Sequence, residues 1–244
     1  MLFNSEERLS DSPFVKRIWR SRTERTGPFL SIATSHWEMV ISRYQGKTAV
    51  TVRGPETKVT PFDVTFTGGE YLGIIFKHGA VLPYLPADAI VDGDVDMPNA
   101  SSKTFWLNGL TWQFPTYENA DIFVDRLVRE GVLVRDSIVQ SALRGEPQEL
   151  SPRSLQRRFM RTTGLTHGML RQIDRARQAT ILLQEGTSIL DTVDRIGYAD
   201  QAHLTRALKY FIGKTPAQII RPMESIQTSL LFQTELVRDR SFTY

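Results

Sequence analysis

Residues 200–216 read DQAHLTRALKYFIGKTP, and residues 151–164 read SPRSLQRRFMRTTG. In the first stretch Leu204, Leu208 and Phe211 recur at i, i+4 and i+7, the apolar stripe of an amphipathic helix. Gln201, His203, Thr205 and Arg206 stand at its front, and Gly213 with Pro216 ends it. In the second stretch Leu155 and Phe159 keep the same four-residue spacing. Ser151 suits an N-cap, Pro152 the first helical position and Gly164 the C-terminal cap. One helical plan is written twice.

Each copy has a shorter helix in front of it. ILDTVDRI (189–196) carries Ile189, Val193 and Ile196 on one stripe, with Ser188 as cap and Asp191 as its capping-box partner. IVQSALRG (138–145) leads the other copy. Two short helices joined by a tight, glycine-containing turn fit the helix-turn-helix plan, whose second helix docks in the DNA major groove. Between the copies, MLRQIDRARQATILLQEG (169–186) reads as one helix with Ile173, Ala176, Thr180 and Leu183 on a stripe. Eighteen residues of helix span about 27 Å, against about 34–36 Å between major-groove segments one turn apart.

The first half of the chain has a different period. From about residue 29 to 114, FLSIATSHWEMVISRY, TAVTVRG, KVTPFDVTFTGG and EYLGIIFKHGA are rich in Val, Ile, Thr and aromatics, with glycines between them. A small β-barrel or sandwich is expected there. After residue 117 the period moves towards 3.6. Ile122, Val124, Leu127, Val128, Val132 and Leu133 fit an amphipathic helix capped by Asn119 or Asp121. The expected fold class is α+β: a β-rich domain over 1–117, an all-α domain over 118–222 with two helix-turn-helix units joined by a linking helix, and a tail over 223–244. That tail reads as either a terminal helix or a loosely held segment.

Composition narrows the function classes. The chain of 244 residues has no cysteine, which removes disulfides, thiol nucleophiles and cysteine-ligated metals, and fits a reducing cytoplasm. No apolar run is long enough to cross a membrane, and MLFNSEERLSDS does not read as a secretory signal. His36, His78, His167 and His203 lack metal-ligand spacing. Asp92, Asp94 and Asp96 alternate like calcium ligands, but the glycine and terminal glutamate of an EF-hand loop are missing, so a solvated loop is the better reading. Neither a metal nor a cofactor is expected. Residues 1–117 hold 12 basic and 12 acidic side chains, whereas 150–222 hold 12 basic against 5 acidic. A polyanionic partner would therefore meet the C-terminal part.

The stretches SPRSLQRRFMRTTGLT and RQIDRARQATILLQEGTSILDTVDRIGYADQAHLTRALKYFIGKTPAQI resemble the DNA-binding domain of the AraC/XylS family of bacterial transcription regulators over about residues 135–222. Order, spacing, the Gly-Tyr before the second reading helix and the closing Gly-x-Thr-Pro carry the resemblance. GIIFKHGAVLPYLP (73–86) is similar, more weakly, to β-rich regulatory domains of some such regulators. One feature departs from the pattern: RGEPQELSP (144–152) is about three residues longer than the family's usual tight turn.

The resemblance implies one chain with two reading heads on double-stranded DNA. Arg153, Gln156 and Arg157 would read bases from the first head, and Gln201, His203, Thr205 and Arg206 from the second. Arginine can bond guanine O6 and N7, and glutamine adenine N6 and N7. Arg158, Arg161, Lys209 and Lys214 suit phosphates. Each of these side chains taken alone fits a solvated helix face; two matching frameworks shift the balance towards contact. A histidine at 203 fits a base, a phosphate or water equally well.

The resemblance also implies a sensing or dimerising role for the β-rich half, with a small-molecule effector, RNA polymerase and a second copy of the chain as further partners, and no membrane. Trp37, Glu38, Arg53, Tyr71, Phe76 and His78 are the candidate effector-pocket residues, with Trp37 and Phe76 fitting plain core better. A dry barrel used only as an interaction surface is the rival. No Ser-His-Asp, paired-carboxylate or phosphate-loop arrangement stands out, so an enzyme with a helical accessory domain is disfavoured. A non-specific architectural DNA-binding protein is the other alternative.

Overall fold

The computed structural model describes residues 2–221 and the two-residue strand Gln227–Thr228. Apart from that strand, the tail over 223–244 lies outside the described residues. In chain order the strands are β1 (Phe3–Leu9), β2 (Val15–Thr23), β3 (Gly27–Ser31), β4 (Glu38–Tyr44), β5 (Lys47–Arg53), β6 (Thr60–Val64), β7 (Glu70–Phe76), β8 (Ala80–Val81), β9 (Asp94–Met97), β10 (Asn99–Ser101), β11 (Thr104–Leu107), β12 (Leu110–Gln113), β13 (Val134–Arg135) and β14 (Gln227–Thr228). The helices are α1 (Ala120–Arg129), α2 (Ser137–Leu143), α3 (Pro152–Thr163), α4 (His167–Gln184), α5 (Ile189–Ile196), α6 (Gln201–Phe211) and α7 (Pro216–Ile220). The α+β class holds, with sheets in the first half and helices in the second.

The described residues form two compact units: one within Met1–Thr26, His36–Pro55 and Phe66–Thr166, the other of Gly27–Ser35, Glu56–Thr65 and the described residues from His167 onward. These do not follow the change of period near residue 117. In the first unit, six strands form a sheet in the order β1-β2-β7-β4-β5-β9, all antiparallel. Its hydrogen bonding is open at β1 and β9, so the described strands make a sheet and not a closed barrel. Ile18, Met39, Ile41, Val50, Val52, Ile74 and Phe76 face a core shared with Phe105, Leu107 and Trp112 of the three-stranded β10-β11-β12 sheet and with Val124 and Leu127 of α1. On the opposite face the Trp19 indole lies over Gly73, where a Cβ would come within 2.0 Å of the ring.

Within FLSIATSHWEMVISRY the strand-like pattern resolves into β3 and β4, which fall in different sheets with residues 32–37 between them. Several local expectations are corrected. The sheet begins earlier than residue 29, because FNSEERL forms the edge strand β1, whose consecutive charges Glu6, Glu7 and Arg8 mask its period. On α1 the inward face is Ala120, Phe123, Val124 and Leu127, while Ile122 is 68% exposed. Val132 and Leu133 are buried but lie beyond the helix end. Asn119 is the N-cap residue without a capping side-chain bond; its Oδ1 accepts from the Thr116 amide instead. Asp121 bonds Arg8 and Ser10. Asp94 and Asp96 alternate because they lie on β9, opposite Arg53 and Thr51, and the Thr51 hydroxyl donates to Asp96 at 2.6 Å.

Helices α2 and α3 belong to the first unit. The Asp136 amide donates to the Gly79 carbonyl at 2.7 Å, and Gln140 Nε2 reaches the His78 carbonyl at 3.3 Å. Gly164, in left-handed conformation at φ 75, closes α3 against Pro55, Ala87 and Val91, where a Cβ would be too close.

The second unit holds α4–α7 and a strand pair made from two separate segments of the chain. β3 and β6 pair antiparallel, and β14 joins β3 in parallel. Two of the end carbonyls of α6, which have no partner within the helix, are satisfied from the flanks of these strands. The Ala33 amide donates to the Phe211 carbonyl at 2.8 Å, and the Val59 amide to the Tyr210 carbonyl at 3.0 Å. Arg177 of α4 is buried and donates to the Ala33 carbonyl at 3.1 Å. Ile173, Ala176, Thr180 and Leu183 form the buried stripe of α4.

Candidate nucleic-acid interface

In the first unit α3 starts where its sequence places it. Ser151 accepts from the Ser154 amide at 3.2 Å, and Pro152 opens the helix. Phe159, Thr162 and Thr163 face inward, which leaves Arg153, Gln156, Arg157, Arg158 and Arg161 exposed. Four of those five side chains are cationic. Leu155 is only half-buried, so Phe159 is the main apolar anchor of this helix. Arg158 is committed within the protein: its Nε donates to Asp136 Oδ2 at 2.7 Å. Asp136 is the residue missed by sequence reading. It caps α2 by accepting from the Val139 amide at 3.2 Å and also takes the Thr162 hydroxyl at 3.1 Å, binding α2 to α3. The long connection before α3 has structure of its own. Arg144 donates to Glu146 from Nε at 2.6 Å and Nη2 at 3.1 Å, which draws the Glu146 carboxyl down to about 2.

In the second unit the turn before α6 is built from two caps. Ser188 accepts from the Asp191 amide at 3.1 Å to start α5, and Gly197 ends it at φ 75. Asp200 then starts α6 by accepting from the His203 amide at 2.6 Å. Leu204, Leu208 and Phe211 are buried, while Gln201, His203, Arg206 and Lys209 are exposed. Thr205 is half-buried and donates its hydroxyl to the Gln201 carbonyl at 2.8 Å, so the hydroxyl is engaged within the helix. Lys214 is half-buried, and burial lowers its ammonium below the usual lysine range.

His203 is held by an aromatic contact that spacing does not reveal. Its ring meets Tyr198 edge-on, with centroids 5.1 Å apart. Arg175 of α4 lies 4.4 Å over the same Tyr198 ring and donates to the Gly197 carbonyl at 2.5 Å. The stack Arg175–Tyr198–His203 therefore ties the turn to α4 and to the front of α6.

The candidate effector residues do not share one cavity. Trp37 and Phe76 are buried and stacked at 3.9 Å, and the Trp37 indole donates to the Ala80 carbonyl at 2.8 Å. Glu38 accepts from Trp19 Nε1 at 3.1 Å and faces Arg53 at 3.6 Å. His78 stacks on His36 at 3.9 Å, and burial with Lys16 nearby pushes its imidazole down to about 3. Of the six, Tyr71 lines the large cleft of this unit.

Residues 149–221, from just before α3 to the residue after α7, match the family model described as a helix-turn-helix domain. The C-terminal segment is an AraC-type helix-turn-helix domain. Over 88 residues this chain is 35% identical to the HTH-type transcriptional regulator RipA of Corynebacterium glutamicum. That likeness covers 35% of this chain and spans 27% of the length of RipA. No solved structure matches the chain. Among the described residues, no helix is long and apolar enough to cross a membrane.

Proposed function

We propose that this protein is a sequence-specific, DNA-binding transcription regulator that acts by binding and not by catalysis. Its reading helices α3 and α6 enter adjacent major-groove segments of double-stranded DNA. The observation that carries this reading is the duplicated helix plan: an N-cap, a buried inner stripe, and an outward front of arginine and glutamine on both α3 and α6. Arg153, Gln156 and Arg157 read base edges from the first head, and Gln201 and Arg206 from the second. With its hydroxyl engaged by the Gln201 carbonyl, Thr205 reads through its methyl, which suits a thymine methyl. His203 acts from its place against Tyr198. Arg161, Lys209 and Lys214 serve phosphates, and Arg158 contributes charge while held by Asp136.

On this reading the β-rich unit senses a small effector, RNA polymerase and a second copy of the chain are its protein partners, and the protein works in the cytoplasm. The test is a footprint on the DNA upstream of its own gene at stated salt, since affinity without a salt concentration is uninterpretable. Two adjacent protected major-groove segments support the reading. Uniform protection without sequence preference favours an architectural protein instead.

A further inference from the structure

A cleft of about 510 Å³ in the first unit is walled by β1, β2, β4, β7 and residues 115–118, within the usual size range of small-molecule pockets. Its rim is set by strand register. Arg22 of β2 and Arg43 of β4 both stand opposite Glu70 of β7, so Arg22, Glu70 and Arg43 form one row across three adjacent strands. Side chains two residues apart share a face, so the next row on the same face is Arg20, Leu72 and Ile41. Leu72 and Ile41 are buried and give the cleft an apolar floor.

The far wall is Tyr117, and it is fixed. Arg20 lies 4.6 Å and Arg8 5.3 Å from the centre of its ring. Arg8 also donates to the Tyr117 carbonyl at 2.9 Å and to Asp121 at 2.6 Å. Arg20 pairs with Glu6 and, at 3.1 Å, with Glu118, so its charge is already shared between two carboxylates. Arg22, Arg43 and Glu70 differ: they are exposed, and among the described residues they form no ion pair. Unengaged groups of both signs, Arg22, Glu70 and Arg43, therefore stand together in one row, with Leu72 and Ile41 as apolar surface in the row beside them.

We propose that this cleft binds a small zwitterion with an apolar body, of the free amino acid class. The carboxylate pairs with Arg22 and Arg43, the ammonium with Glu70 between them, and the side chain rests on Leu72, Ile41 and Tyr117. This rests on the reading of the β-rich unit as the sensing body and names the ligand class it takes. A lone anion would meet Glu70 between its two arginines, and a lone cation would meet the arginines themselves; a zwitterion satisfies both signs.

The experiment is a thermal-shift and calorimetric titration of the full-length protein, without DNA, against each of the twenty free amino acids. Leucine and phenylalanine are run beside their matched amines and matched carboxylic acids. A ligand of the native state raises apparent stability. The expected result is binding of one or more apolar amino acids, with none by the corresponding amine or acid. The double substitution Arg22→Gln/Arg43→Gln should weaken that binding at least tenfold with an unchanged circular dichroism spectrum, and Glu70→Gln should weaken it as well. Silence from all twenty overturns the proposal, as does equal binding of the matched acid or insensitivity to these substitutions. A footprint of the ligand-free protein reads the DNA-binding function separately, so failure of one leaves the other standing.

Discussion

Arg158 donates its Nε proton to Asp136 Oδ2 at 2.7 Å, so a cation on the exposed face of α3 is anchored to the N-cap of the helix before it. The Asp136 side chain is 11% exposed and the Arg158 side chain 45%. The carboxylate is therefore the enclosed, structural partner. Asp136→Ala removes the α2 cap along with the bonds to Arg158 and Thr162. A lost cap costs about 1 kcal/mol, and a half-exposed ion pair adds at most ~1 kcal/mol. Urea unfolding should show a loss of about 1–2 kcal/mol, and an unchanged midpoint would show that Asp136 does not join the helices.

The same bond separates the cations of α3 in their response to salt. Arg161→Gln should reduce the slope of log affinity against log salt by about 0.9, the release expected for one phosphate contact. Arg158→Gln should change it by much less, because Asp136 already shares that charge. Equal effects from both would place Arg158 on a phosphate in the complex.

Base reading has a different signature. Arg157→Ala and Arg206→Ala should each cost about 1–3 kcal/mol on the preferred site and relax selectivity at one base position. Competition binding with single-base variants measures this. Uniform weakening on every sequence would move these arginines to phosphate contacts.

Gly73 is required by the indole that covers it. Gly73→Ala places a methyl 2.0 Å from the Trp19 ring in the middle of the six-stranded sheet, and overpacking of this kind costs about 1–3 kcal/mol. The added substitution Trp19→Leu should recover part of that loss in thermal unfolding. If it recovers nothing, the indole is not what excludes the methyl.

His78 makes stability depend on pH in a window set by its own titration. Its imidazole protonates near 6.5 in the unfolded chain and is held down to about 3 in the fold by burial and Lys16. Between those values the unfolded state binds the extra proton, so stability rises with pH and is lost as pH falls. This group alone contributes up to about 1.4 kcal/mol per pH unit. Urea midpoints taken from pH 7 to 5, above most carboxylate titration, should fall in the native protein and fall less in His78→Asn. Parallel curves would remove His78 as the cause.

The candidate site is legible where chemistry is local. Ser151, Gly164, Ser188 and Gly197 cap or end helices as their positions predict, because a cap satisfies backbone groups within one turn of itself. The exposed fronts of α3 and α6 follow from the spacing of Phe159, Leu204, Leu208 and Phe211. The contact of Arg158 and the bond from Arg175 to the turn before α6 were not legible in the same way. Asp136 lies 22 positions before Arg158, and Arg175 lies 22 before the Gly197 carbonyl it bonds, so no local period joins them.

The sequence by itself determined helices α3–α6, the caps and ends of α3 and α5, the outward residues of α3 and α6 and the two-residue period of most sheet strands, since each depends on neighbours a few positions away. Tertiary structure decided which elements belong together. Residues 27–35 and 56–65 read as part of a β-rich half, yet their amides complete the carbonyl end of α6 in the second compact unit. The charged strand Phe3–Leu9 became a sheet edge only because β2 supplied its partner. In both cases the deciding quantity is the satisfaction of backbone hydrogen bonds by distant residues, which depends on the assembled fold and not on any local pattern.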